Sequence, residues 1–146
     1  MTRAAIVSPL RTPIGRFLGS LMPLPAQDLA SHIIRAVVDN TKIDTGKMEE
    51  WIVAQSYANS EAPCIGRLAA LAAGLPVSVP GLQIDRRCGG GLQAIATAAI
   101  MVETGAADVV LAGGVESMSN IEYYTTDMRG GARAGSVQLY DRMDRG

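Results

Sequence analysis

Apolar positions in this chain fall into short dense runs separated by longer helical stripes, and that pattern sets out the elements. Residues 3–8 read as a short buried strand stopped by Pro9. Residues 10–25 hold Pro13, Pro23 and Pro25 with Gly15 and Gly19 and read as one long loop. Loops of that length are usually functional or interfacial. A helix is expected over 26–40, with Leu29, Ile33, Ala36 and Val37 on one face. A second strand is expected at 51–55, a polar loop at 56–63, and a small-residue helix at 65–73 with Gly74 as its stop signal. After a linker at 76–80, a third strand runs over 81–85. The helix that follows, 92–103, carries only Gln93 and Thr97 as polar side chains up to Val102. A helix that is apolar nearly all round expects cover on every side. Residues 108–114 read as a fourth strand, buried on both faces because polar and apolar positions do not alternate.

The order is therefore βαβαβαβ, which argues an α/β layered fold with a mostly parallel sheet. Beyond Gly114 the periodicity is lost. Glycines and charges intersperse there, and Tyr123 and Tyr124 are the candidates to anchor a surface.

Composition narrows the function classes. A chain of 146 residues, 48% apolar, suits one globular domain with a real core. Thirteen basic and 14 acidic residues leave a formal net charge of −1. That balance supplies no long-range attraction to nucleic acid or to an anionic membrane, so neither is an expected partner. One Trp, one Phe and four Tyr are too few for a base-stacking platform. Cys64 and Cys88 make no disulfide framework, so a reducing cytoplasm is the expected setting. No apolar run reaches ~18 residues and no basic–apolar leader opens the chain, so neither a membrane span nor a secretory signal is expected. GxGxxG, Walker-type, HExxH, CxxC, acidic calcium-loop and GxSxG patterns are missing, so no nucleotide-phosphate or metal site is expected. The single histidine, His32, lies off the middle of its helix stripe and reads as a partly exposed side chain.

The chemistry concentrates at Asp85-Arg86-Arg87-Cys88-Gly89-Gly90-Gly91. A strand leads in and an apolar helix leads out, so Cys88 sits at a strand-to-helix junction. The first N–H groups of a helix lack intrahelical partners and carry partial positive charge. A thiol held there ionises more readily, and the thiolate is the attacking form. Glycines let a large substrate approach the backbone. Two readings stand on spacing alone: a nucleophile that forms a covalent acyl-enzyme, or a packed structural cysteine. Cys64 also opens a helix but lacks the glycine surround, and reads as packing or a partly exposed thiol.

Four blocks carry a resemblance. They are Arg11-Thr12-Pro13-Ile14-Gly15-Arg16-Phe17-Leu18-Gly19-Ser20-Leu21, the arginine–alanine helix Gly66 to Pro76, the segment Arg86 to Ala94, and Ala112-Gly113-Gly114-Val115-Glu116-Ser117-Met118-Ser119. In this order, over nearly the whole chain, they resemble the thiolase family, the 3-ketoacyl-CoA thiolases and acetyl-CoA acetyltransferases. A ketosynthase-like condensing enzyme is the weaker resemblance, because the first and last blocks point to thiolases.

The resemblance implies one half of a thiolase-like layered fold. Residues 1–119 would form the half-domain that bears the nucleophile, and 120–146 the beginning of the loop domain that holds CoA. It implies that Cys88 is the acyl-accepting cysteine, that its backbone N–H donates to an oxyanion hole, and that acyl-CoA and CoA are the substrates. No tightly bound cofactor and no metal is implied. Asp85 stands where many members have Asn, and Gly89-Gly90-Gly91 replaces the commoner x-Ser-Gly. The family's C-terminal histidine and second cysteine have no counterpart here, so a C-terminal thiolase half is expected to supply them; a homo-oligomer is expected by analogy with the dimers and tetramers of the family. In one half alone, a face of the 92–102 helix has nothing to bury against. A truncated, non-catalytic subunit of a thiolase-like assembly is the alternative.

Overall fold

The computed structural model describes residues 3–145. Its sheet has three parallel strands, β1 (Glu50–Ala54), β2 (Gly81–Ile84) and β3 (Val110–Gly114), in the order β2-β1-β3. Ala54 stands opposite both Ile84 and Gly114, so all three strands end at one edge. The helices are α1 (Ala26–Thr41), α2 (Ile65–Ala72) and α3 (Gly90–Thr104).

β1 is central, and Trp51 to Ala54 are buried. Alternate side chains of a strand point to opposite faces. Trp51 and Val53 accordingly join Ile34 of α1, Ile65 and Ala69 of α2, and Val79 in one core. Ile52 joins Ala94 and Ala98 of α3 in a second core on the other side. This is the expected α/β layering, with α1 and α2 over one face of the sheet and α3 over the other. Fully burying a side chain such as Ile52 or Val53 stabilises the fold by roughly 1.5–3 kcal/mol each. α2 crosses β2 backbone to backbone: a Cβ on Gly81 would lie 2.4 Å from Arg67 N and 2.5 Å from Gly66 C. Only glycine permits that approach.

Three local expectations change. Residues 3–8 form no strand; Ile6 and Val7 stand exposed. A strand holds only where a neighbour takes its backbone hydrogen bonds, and Ser8 turns the chain with φ +50°. The deep face of α1 is Ala26, Ala30 and Ile34, with Val38 packed beside it, one position off the expected stripe. α2 contributes Ala69 and Ala70 to the same core, and small side chains let helices pack closely, while the bulkier Leu29 and Ile33 stay half-buried. β3 is half-buried rather than covered on both faces, because it lies at the edge of the sheet. α3 matches its expectation for one half alone: it buries Gly90, Ala94 and Ala98, whereas Leu92 is 74% and Ile100 is 60% exposed, so one face of the apolar helix is uncovered.

Order also continues past β3. A 3₁₀ turn (Met118–Asn120) leads to β4 (Tyr123–Tyr124), which pairs antiparallel with β5 (Tyr140–Asp141) ahead of α4 (Arg142–Arg145). The Tyr124 and Tyr140 rings meet with centroids 5.5 Å apart, and Arg142 pairs with Glu122 at 2.9 Å. None of the described helices is long and apolar enough to cross a membrane.

Candidate active site

The C-terminal ends of parallel strands are where α/β sheets commonly present functional loops. Here β2 runs into a 3₁₀ turn, Arg87–Gly89, which passes directly into α3. Cys88 is therefore in the turn that starts a 15-residue helix, and its side chain is exposed and free of any disulfide. Gly89 N–H donates to the Arg86 carbonyl, and Gly90 N–H donates to the Arg87 carbonyl. No hydrogen bond among the described residues takes the backbone N–H of Cys88. The turn fits against the sheet because residue 90 is glycine: a Cβ there would come within 2.7 Å of Ala54 Cβ.

The turn is also strained. Arg87, the residue before the cysteine, has φ +46°. The left-handed region costs a non-glycine residue roughly 1–2 kcal/mol. Local contacts offset that cost. Asp85 Oδ1 accepts from Arg87 N–H at 2.9 Å and its Oδ2 lies 3.5 Å from the Arg87 guanidinium, so one carboxylate holds both the backbone and the side chain. The guanidinium donates to the Ser56 carbonyl at 2.7 Å and lies over the Tyr57 ring, 5.5 Å from its centroid. Arg86 reaches the other way and bonds Gln93 on α3.

The loop after β1 is held from its other side by Glu116, two residues past β3. Glu116 Oε2 accepts from Ser56 N–H at 2.8 Å and from Tyr57 N–H at 3.3 Å. Burial raises its pKa above the ordinary carboxylate range, and nearby Asp85 pushes the same way. The two backbone N–H groups, and more weakly Arg142, pull it back only in part. A cleft of about 280 Å³ opens among these loops, lined by Gln55, Ser56, Gln83, Asp85, Arg87 and Arg142. Cys88 adjoins it through Arg87 but does not line it.

Sequence reasoning singled out Cys88 alone. Glu116, Ser56 and Arg87 were missed as parts of a site, although Glu116 and Arg87 lie inside quoted blocks. The available signal for Glu116 was an acidic side chain two residues past an apolar strand, where a charge needs a partner. The other expected residues separate cleanly. Cys64 caps α2 with φ +51°, is exposed, and donates its thiol to the Gly81 carbonyl at 3.3 Å. His32 is exposed on α1, and Arg11 and Arg16 are exposed in the loop before it. The first and last of the four blocks meet in space. Leu18 N–H donates to Ser119 Oγ at 2.9 Å, and Asn120 Nδ2 donates to the Met22 carbonyl at 2.9 Å.

Fold and turn together define an α/β protein with an exposed cysteine where a parallel strand meets a helix. Residues 4–146 match the family described as "Thiolase, N-terminal domain". The acetyl-CoA acetyltransferase of Pseudomonas aeruginosa is 38% identical over 143 residues, 98% of this chain and 36% of that protein. The mitochondrial acetyl-CoA acetyltransferase of Bos taurus is 39% identical over 141 residues, 97% of this chain and 33% of that protein. The crystal structure of the Bacillus anthracis acetyl-CoA acetyltransferase superposes with a TM-score of 0.87 at 34% identity, covering 92% of this chain and 34% of that one. The chain belongs to the thiolase family, and it spans about a third of the length of these relatives.

Proposed function

We propose that this chain is the nucleophile-bearing part of a CoA-dependent acyltransferase, with Cys88 as the atom that accepts the acyl group. The observation that carries the reading is the placement of Cys88: exposed, in a turn at the start of α3, with its backbone N–H unused among the described residues. An N–H free at a helix start is suited to the carbonyl oxygen that becomes an oxyanion when that sulfur adds to the acyl carbon. The relatives from Pseudomonas aeruginosa and Bos taurus bear the name acetyl-CoA acetyltransferase, which supports acyl-CoA as the substrate class.

In the transfer step, Cys88 Sγ adds to the thioester carbonyl of an acyl-CoA. The carbon–sulfur bond to CoA breaks, and the CoA sulfur leaves with the proton that Cys88 gives up. A new acyl–sulfur bond remains on Cys88. In the degradative direction the same sulfur adds to the ketone of a 3-ketoacyl-CoA. The bond between C2 and C3 breaks, and C2 of the departing acetyl-CoA takes up a proton. The groups that move those protons are the C-terminal histidine and cysteine that the family resemblance implies, supplied from outside these residues by a C-terminal thiolase half. We assign 1–119 to the nucleophile half-domain and 120–146 to the start of a loop domain. The separate β4–β5 pair supports that division. Two free thiols suit a reducing cytoplasm.

The test is incubation of the purified chain with acetyl-CoA followed by mass spectrometry, alone and with a chain supplying the remainder of the relatives' length. The wild type is expected to gain one acetyl group on Cys88, and Cys88→Ala none. Thiolysis of acetoacetyl-CoA is expected only in the mixture. A folded wild type that takes up no acetyl group in either arm overturns the nucleophile reading in favour of a non-catalytic subunit.

A further inference from the structure

We propose that Arg87 is a positioning residue for Cys88, and that the loops after the three parallel strands form one strut that holds it. The inference deepens the acyl-transfer reading, because it takes Cys88 as the group to be aimed.

The chain of contacts is continuous. Glu116, after β3, accepts the N–H groups of Ser56 and Tyr57, after β1. The carbonyl of the same Ser56 accepts the Arg87 guanidinium, and the ring of the same Tyr57 lies beneath it. Asp85, after β2, closes the network on Arg87 through both carboxylate oxygens. Three loops that are far apart in sequence thus converge on the one residue that precedes the cysteine. That residue is the strained one, with φ +46°. A strained conformation persists only where its surroundings over-determine it. Here the surroundings are a carboxylate, a carbonyl and an aromatic ring on a single side chain.

The network also gives meaning to the aspartate at position 85. An Asn there would keep an oxygen for the Arg87 N–H but would lose the charge that faces the guanidinium. Asp85 and Arg87 therefore act as a matched pair. The carboxylate paired with Arg87 is Asp85 on its own turn; Glu116 is linked to it only through the Ser56–Tyr57 backbone, Arg142 lines the same cleft, and Arg86 bonds Gln93.

The test uses the two thiols of the chain against each other. Both are exposed, so iodoacetamide labels both, and Cys64 reports on the fold in general. Arg87→Ala is expected to slow alkylation of Cys88 by roughly fivefold or more across pH 6–9, as misaimed reacting groups do, with Cys64 unchanged. Arg87→Lys keeps a cation for Asp85 and the Tyr57 ring and is expected to recover most of the rate. Asp85→Asn is expected to fall between wild type and Arg87→Ala. Equal Cys88 rates in wild type and Arg87→Ala overturn the proposal. So does a parallel change at both thiols, which marks general loosening. The acetyl-CoA arm keeps the two ideas apart: a wild type that takes no acetyl group refutes acyl transfer, whereas the alkylation rates judge Arg87 on their own.

Discussion

At the scale of single residues, the site turns on a carboxylate that is awkward to ionise. The pKa of Glu116 is raised in the fold, chiefly by burial. A carboxyl group whose folded pKa lies above its unfolded value favours the fold most at low pH, where it is protonated in both states. That contribution is lost as pH rises from the ordinary carboxylate range through the raised value. Glu116→Gln keeps an oxygen to accept from Ser56 and Tyr57 but cannot ionise. It is therefore expected to abolish this part of the pH dependence of stability, measured as urea midpoints from pH 4 to 8. Its advantage over wild type should appear only at the upper end. Glu116→Ala strands the two donors and is expected to cost about 1–3 kcal/mol at every pH. Cys88 was legible in the sequence because a strand, three glycines and an apolar helix lie next to it in the chain. Glu116 was not legible as part of the site, because its partners Ser56 and Tyr57 are 60 and 59 residues away. Only the β2-β1-β3 strand order brings them together.

At the scale of elements, two neighbouring glycines of α3 should respond with opposite signs. A Cβ on Gly90 would meet Ala54 Cβ at 2.7 Å, whereas one on Gly91 meets nothing within 4 Å. Gly90→Ala must push α3 off β1 and take the cysteine turn with it, at an expected cost of about 1–3 kcal/mol. Gly91→Ala adds helix propensity without a clash and is expected to gain up to about 1 kcal/mol. Chemical denaturation of the two variants separates the effects. The same elements show what pattern alone conveys. The helices 26–40, 65–73 and 92–103 and the strands at β1, β2 and β3 were all readable, since each carries its own periodicity or stop signal. The face of α1 was misjudged by one position. The helical period placed Leu29 and Ile33 on the buried stripe, whereas Ala30 and Ile34 join Ala69 and Ala70 of α2 in the core. Residues 3–8 misled for a related reason. Val, Ile and Ala in a row describe an apolar run, while a strand is a relation between two segments, and the run cannot say whether its partner is there.

At the scale of the molecule, the two faces of the sheet are unequally finished. α1 and α2 close one side over a core that includes Ile34, Val53 and Ile65. The other side has α3 alone, which buries alanines inward and turns Leu92, Ile95 and Ile100 outward. Residues 3–24 add Ile6, Ile14 and Phe17 to the exposed apolar surface. Exposed large apolar side chains in this number favour an interaction site or an aggregation liability where they adjoin. The 146-residue chain is therefore expected to bind an apolar dye such as ANS while remaining folded by near-UV circular dichroism. Leu92→Gln with Ile100→Gln should lower that signal and change stability by less than about 0.5 kcal/mol, as surface substitutions do. Ile52→Ala is the contrasting case: this side chain is fully buried between β1 and α3, and its loss should cost about 2–5 kcal/mol. If the double substitution on α3 destabilises the chain as much as Ile52→Ala does, the outward face of α3 is part of the core. The apolar circumference of that helix would then be satisfied within these residues, with no second half needed to cover it.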